Sequence, residues 1–98
     1  MAVASCRMTN IADQVQVSLA PDEALVLFDL LSRWTDDKDA ATPSSDCFES
    51  PAECAVLHNV LATLEKRLAA PFRADYAELV ESARARMAQG WEGTTLRA

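Results

Sequence analysis

A leucine stripe in the second half of the chain narrows the available folds more than any other feature. The stripe consists of Leu57, Leu61, Leu64 and Leu68, with Val60 beside them. Spacings of four, three and four residues place these side chains on one face of an α-helix. Ser50 suits the N-cap, a proline follows it, and Glu53 completes a Ser-x-x-Glu capping box. The sequence therefore predicts a helix over Pro51–Ala69, around which the rest of the chain is organised.

A second helix is predicted earlier in the chain, over Pro21–Trp34. Its first residue is a proline, which lacks only an N–H that would be unpaired there anyway. The carboxylates of Asp22 and Glu23 follow, where the helix dipole favours negative charge. Asp29 and Arg33 are spaced as an i,i+4 ion pair, expected on the exposed edge. Apolar residues surround most of the helix, which predicts burial on two sides.

The last helix is predicted over Tyr76–Gln89, where apolar residues recur with helical spacing. Asp75 is a candidate N-cap, and Gly90 is a suitable terminator. A turn over residues 69–74 leads into this helix and predicts antiparallel packing against the leucine-rich helix. Phe72, within that turn, is expected to close one end of the core.

The segment 14–19 alternates between apolar and polar residues, which is the pattern of a half-buried strand. Val15, Val17 and Leu19 lie on one side, and Gln14, Gln16 and Ser18 lie on the other. A strand needs a pairing partner, which could be the N-terminal residues or a second copy; otherwise the segment stays extended and unpaired. We predict a homodimer in which two copies of this strand pair across a two-fold axis. Its interface is predicted to comprise Val15, Val17, Leu19, Leu25 and Phe28.

Ninety-eight residues are enough for one domain. The predicted fold is mainly α: a three-helix antiparallel bundle preceded by one short strand. The helical domain is predicted to span residues 14–89, with a flexible N-terminal extension over 1–13 and a loose C-terminal tail over 90–98. Translation could begin at Met1 or at Met8, and the sequence does not distinguish them.

The chain is acidic, with a net charge of −6 and a pI near 4.6. This balance argues against nucleic acid or an anionic membrane as a partner, since both bind basic patches. Acidic residues concentrate in the connection after the first helix: Asp36, Asp37, Asp39, Asp46 and Glu49. They indicate either a surface that docks a basic protein, as in toxin-neutralising immunity proteins, or a solvated loop that keeps the protein soluble.

Three cysteines, Cys6, Cys47 and Cys54, form no disulfide framework, which indicates free thiols in a reducing compartment. With no apolar run long enough for a membrane span or signal peptide, we expect a cytoplasmic protein. His58 lies four residues after Cys54, a spacing that permits zinc binding or thiol chemistry. Because no CxxC pair and no orienting third group accompany them, we predict no metal and no cofactor.

Two motifs resemble those of a widespread group of small bacterial helical proteins. One is the S-L-A-P-D-E-A-L-V-L-F run over residues 18–28, and the other is the L-E-x-x-L-x-x-P-F-x-x-D-Y run over 64–76. The resemblance covers about Val15 to Met87 and implies the same element boundaries. Ala20 departs from the group's usual serine, which implies a first helix cap weaker by about 1 kcal/mol. No function is known for that group, so the resemblance implies none here.

The leading functional prediction is a non-enzymatic protein-interaction module, of the immunity type or a regulatory partner of a basic bacterial protein. One alternative is a metal- or thiol-dependent regulator or enzyme that uses Cys47, Cys54 and His58. Another is a structural accessory subunit of a larger assembly. The acidic connection and the cysteine–histidine pair distinguish these hypotheses.

Overall fold

The computed structural model describes residues 14–97 and contains three α-helices in that part of the chain. They are α1 (Pro21–Asp36), α2 (Pro51–Arg67) and α3 (Tyr76–Ala88), with single 3₁₀ turns at Ser45–Cys47 and Ala70–Phe72. The mainly-α prediction is confirmed, and each helix ends within two residues of its predicted limit. None of the described helices combines the length and the apolarity that a bilayer crossing requires.

The helix at the centre of the fold is α1, rather than the leucine-rich α2 that the sequence suggested. Its residues contribute to both hydrophobic clusters of the core. One cluster contains Phe28, Leu31, Leu61 and Leu64, and the other contains Leu25, Val80 and Ala83. Helices α2 and α3 both pack on α1 and contact each other much less. The physical reason is that α1 is apolar around most of its circumference, whereas α2 has only one apolar face.

Both outer helices run in the opposite direction to α1. Trp34, near the end of α1, shares a recess with Cys54 near the start of α2. At the other end of α1, the carboxylate of Asp22 accepts hydrogen bonds from Arg86 near the end of α3, at 2.6 and 2.8 Å. The antiparallel packing predicted between α2 and α3 is thus replaced by antiparallel packing of each helix against α1.

The described residues contain no strand, so the predicted strand over 14–19 is not present in this chain by itself. That segment carries no regular structure and is exposed along its whole length. Val15 and Val17 retain 91% and 77% of their accessible surface. An extended segment becomes a strand only when a neighbour completes its backbone hydrogen bonds, and residues 14–97 supply no such neighbour.

The core is smaller than the predicted apolar stripes suggested. In α2 only Leu61 and Leu64 are buried, while Leu57 and also Leu68, which directly follows α2, remain partly exposed. The prediction that Phe72 closes the core is wrong, because its side chain is 85% exposed. Pro71, which cannot continue α2, lies within the 3₁₀ turn that ends at this residue, and neither core cluster includes Phe72.

The start of α2 is capped as the sequence predicts, with one change. Ser50 Oγ accepts a hydrogen bond from the backbone N–H of Ala52 at 2.9 Å. The capping box would place the carboxylate of Glu53 on the N–H of Ser50. It instead accepts from the N–H of Glu49, at 2.9 Å, one residue further out. Two unpaired backbone donors at this end are therefore satisfied by side chains.

The other two helix starts are capped less completely. Ala20 has no side-chain acceptor, but its N–H donates to the carboxylate of Glu23 at 2.7 Å, so half of a capping box remains. Asp75 occupies the N-cap position of α3 as predicted, but its side chain makes no capping hydrogen bond. Its carboxylate binds the guanidinium of Arg73 instead, at 3.0 and 3.2 Å. The end of α3 agrees with prediction, since Gly90 adopts a left-handed φ of 86° just beyond it.

The caps of α1 and α2 predict two substitutions with opposite effects on stability. Ala20 already has the extended backbone of an N-cap, with φ −64° and ψ 157°. We expect Ala20→Ser to raise the free energy of unfolding by about 1 kcal/mol and Ser50→Ala to lower it by a similar amount. Urea denaturation followed by circular dichroism measures both. A destabilising Ala20→Ser would show that the serine hydroxyl does not reach the free N–H groups of α1.

Candidate functional site

Five carboxylates at the end of α1 and in the connection that follows it form the surface that the sequence singled out, which we call the acidic surface. They belong to Asp36, Asp37, Asp39, Asp46 and Glu49, and all five side chains are exposed. The connection that carries them is attached to the helices at several points. The hydroxyl of Thr42 donates to the carbonyl of Trp34 at 3.0 Å, and Phe48 is half-buried against the end of the α1–α2 pair. The loop that carries the acidic surface is therefore fixed to the helices.

No ion pair in the described part of the chain compensates the acidic surface. The ion pairs there join Arg33, Arg73, Arg84 and Arg86 to Asp22, Asp29, Asp75 and Glu81. Residues 36–53 contain six acids and only Lys38 as a base, a balance of −5. The charge of the molecule is thus divided: arginines pair with Asp22, Asp29, Asp75 and Glu81, whereas the carboxylates of the acidic surface are free to attract a cationic surface.

A polar cluster between α1 and α3, which we call the Asp29 hub, was only partly visible in the sequence. The carboxylate of Asp29 accepts hydrogen bonds from Arg33 Nε and Tyr76 Oη, each at 2.9 Å, and from Arg84 Nη2 at 2.5 Å. The ring of Tyr76 also packs edge-on against Phe28, with centroids 6.4 Å apart. The hub therefore joins the polar and apolar contacts of two helices.

The sequence predicted one ion pair of this hub but not its partial burial. The predicted i,i+4 pair of Asp29 with Arg33 is present, but its carboxylate is only 13% exposed and does not lie on the wet edge. The remaining donors come from residues 47 and 55 positions later. No local spacing rule links residues so far apart, so only the packing of α3 on α1 reveals the cluster.

The hub perturbs two ionisation equilibria in opposite directions. Burial opposes ionisation of Asp29, but hydrogen bonds from Arg33 and Tyr76 and the charge of Arg84 outweigh it and lower the carboxyl pKa. Burial, followed by the hydrogen bond to this carboxylate, raises the pKa of Tyr76 to about 12. At neutral pH the hub consequently holds one carboxylate, two guanidinium groups and a neutral phenol.

The cysteine–histidine alternative depends on a small recess at the end of the α1–α2 pair. Cys54 and His58 both line this recess, which has a volume of about 170 Å³ and also includes Trp34 and Phe48. Cys47 does not line it and is exposed. Within residues 14–97, no three His, Cys, Asp or Glu side chains are grouped as a metal site would need.

The residues predicted for a dimer interface separate into two sets. Leu25 and Phe28 lie inside the core, each 8% exposed, and offer almost no surface to a second copy. Val15, Val17 and Leu19 remain accessible and line an open groove of about 880 Å³. We call this the valine groove. The helices contribute apolar and polar residues to it: Ala24, Val56, Val60, Leu64, Asn59, Thr63 and Arg67.

Comparison with known proteins gives no evidence on function, so the inferred function depends on the geometry of these sites. No protein-family model, curated protein or solved structure matches the chain significantly.

The hub predicts an unusual tyrosine titration. Tyr76 is the chain's one tyrosine, so the ultraviolet absorbance of tyrosinate reports it alone. We expect an apparent pKa of about 12 in the native protein. In Asp29→Asn the value should fall towards the ordinary value near 10, because the neighbouring negative charge is gone. Asp75→Asn removes a more exposed carboxylate outside the hub and should leave the titration unchanged.

The raised pKa of Tyr76 also determines how the free energy of unfolding changes at alkaline pH. A phenol whose pKa is higher in the folded chain adds stability below the unfolded value near pH 10, and this is lost as the pH rises towards 12. Asp29→Asn should weaken that dependence in urea denaturation. An unshifted Tyr76 in the native wild-type protein would contradict the hydrogen bond between the phenol and Asp29.

Proposed function

We propose that this protein is a small, non-enzymatic interaction module that binds a basic protein partner through its acidic surface. The observation that carries the proposal is the set of five exposed carboxylates with no ion-pair partner in the described chain. Complementary charge of this kind speeds encounter and selects cationic partners. That chemistry supports the proposal of an immunity-type or regulatory role towards a basic bacterial protein.

The order of the loop supports binding over simple solubilisation. A purely solubilising segment needs no fixed conformation, but here Asp37 accepts a hydrogen bond from the N–H of Asp39 at 2.9 Å. Phe48 and Thr42 attach the same loop to the helices. A surface held in this way loses less conformational entropy when it binds.

A non-enzymatic role is also favoured by the two open recesses. The ionisable side chains lining the smaller one belong to Cys54 and His58, and Arg67 is the charged residue lining the larger one. Catalysis needs a nucleophile or base together with an orienting group and a site sheltered from water. The metal- or thiol-dependent alternative would use Cys54 and His58, with Cys47 supplied by a rearranged loop.

The free thiols of Cys47 and Cys54 support a cytoplasmic location.

Neutralising the acidic surface tests the main proposal. Asp36, Asp37 and Asp39 are changed together to Asn, which keeps an acceptor oxygen for the turn at Asp39. Three exposed ion pairs contribute up to about 1 kcal/mol each, so binding should weaken roughly ten- to a hundredfold. The measurement is affinity capture with quantitative mass spectrometry, then titration of the captured basic protein at two salt concentrations.

A matched control changes the net charge equally at other exposed sites. The control variant combines Glu65→Gln, Glu78→Gln and Glu92→Gln, none of which belongs to the acidic surface. It should capture the same basic protein as the wild type. Equal loss in both variants would reduce the effect to net charge, and undiminished capture by the Asn variant would exclude the acidic surface as the docking site.

We further propose that the protein is a homodimer joined through the segment 14–19. The exposure of Val15 and Val17 and the open valine groove support this. Val17→Lys adds a charge at an exposed position, so the monomer should stay folded while self-association is lost. Light scattering over a concentration series measures the change, with Gln16→Lys, on the polar side of the alternation, as the control. A dimer that survives Val17→Lys would exclude this segment.

A further inference from the structure

The valine groove is an apolar surface that residues 14–97 leave uncovered. Val15, Val17 and Val56 are 91%, 77% and 58% exposed around it, in a chain whose described core has only seven buried apolar residues. Removing these exposed valine side chains from water would stabilise any complex that covers them. A protein with so small a core gains substantially from any occupant that covers this groove.

Charge selects the occupant. Two copies of a chain with net charge −6 repel, so their contact is least opposed where carboxylates are absent. The segment 14–20 has no charged residue, and the groove lining has one cation, Arg67, and no acid. None of the five residues of the acidic surface lines the groove. The groove is therefore suited to a second copy of the chain and unsuited to the basic partner.

The backbone of the segment specifies how the second copy binds. Within the described chain, no backbone hydrogen bond is made by residues 14–19, so residues 14–97 leave their donors and acceptors available to a neighbouring strand. We propose, resting on the homodimer proposed above, that this segment pairs antiparallel with itself across a two-fold axis at Val17. This register places Val15 opposite Leu19 of the partner subunit, so the apolar side chains of both strands lie on one face.

A two-stranded ribbon is not sufficient by itself. Standard interfaces use roughly 20–30 residues on each side, and isolated two-stranded hairpins are marginally stable. The six residues 14–19 must therefore act together with a helix surface. The neighbouring face of α2, with Val56 and Val60, lies in the same groove and supplies the second layer. The dimer core is thus a ribbon covered by one α2 helix from each subunit.

Cysteine cross-linking tests the register. In a background with Cys6, Cys47 and Cys54 changed to alanine, Val17→Cys places two thiols opposite each other, about 5 Å apart between Cα atoms, which suits a disulfide. Val15→Cys is the matched control on the same face. Its two copies would lie four residues apart along the ribbon, about 13 Å, which is too far to bridge. We expect Val17→Cys to give a disulfide-linked dimer upon mild oxidation and Val15→Cys to remain unlinked.

A second measurement keeps the natural cysteines. Val56→Lys and Ala62→Lys are both exposed on α2, but only position 56 lines the valine groove. Sedimentation should show that Val56→Lys weakens dimerisation at least tenfold, while Ala62→Lys has no effect. Equal dimerisation of the two variants would overturn the placement of α2 in the interface.

The remaining outcomes separate this inference from the proposals on which it rests. A wild-type dimer in which Val15→Cys links and Val17→Cys does not would overturn the register and leave the dimer intact. A wild type that is monomeric at every concentration would overturn both, without affecting the acidic surface. If deletion of residues 1–13 then produced a dimer, the groove would be assigned to the chain's own N-terminus, which also overturns the proposal.

Discussion

Burial of α1 on two sides is the constraint on which the rest of this structure depends. Helix α2 covers the side with Leu31 and helix α3 covers the side with Leu25, while the two outer helices make little contact with each other. Removing either outer helix would expose apolar side chains of α1 that it now covers. The polar bonds of the Asp29 hub fix the rotation of α3 on this surface, because three donors from two helices must reach one carboxylate.

The apolar side chains of α2 and α3 that pack on α1 do not cover the outer faces of the fold, which keep some apolar residues exposed. Val56, in α2, lies away from the core and stays 58% exposed, and the segment before α1 passes beside it without packing closely. Small domains bury a smaller fraction of their surface than large ones, so an uncovered apolar groove costs them proportionally more. The proposed second copy would convert this deficit into an interface.

The distribution of charge separates the two proposed surfaces. Arginines of α1 and α3 form ion pairs with carboxylates of the same two helices, as in the pairs Asp22–Arg86 and Asp29–Arg84. The loop after α1 keeps its acids unpaired, and the valine groove has none. A single chain can therefore present one end to a cationic protein and another face to its own copy, without either contact opposing the other.

Local patterns in the sequence determined the three helices, the cap at Ser50 and the terminator at Gly90, because each depends on residues within one or two turns. They also located the acidic residues, whose exposure follows from their charge. Tertiary structure alone decided that α1 is central, that Tyr76 and Arg84 meet Asp29, and that Phe72 points outward. These outcomes depend on contacts between residues distant along the chain, and helical periodicity records which face is apolar without recording what covers it.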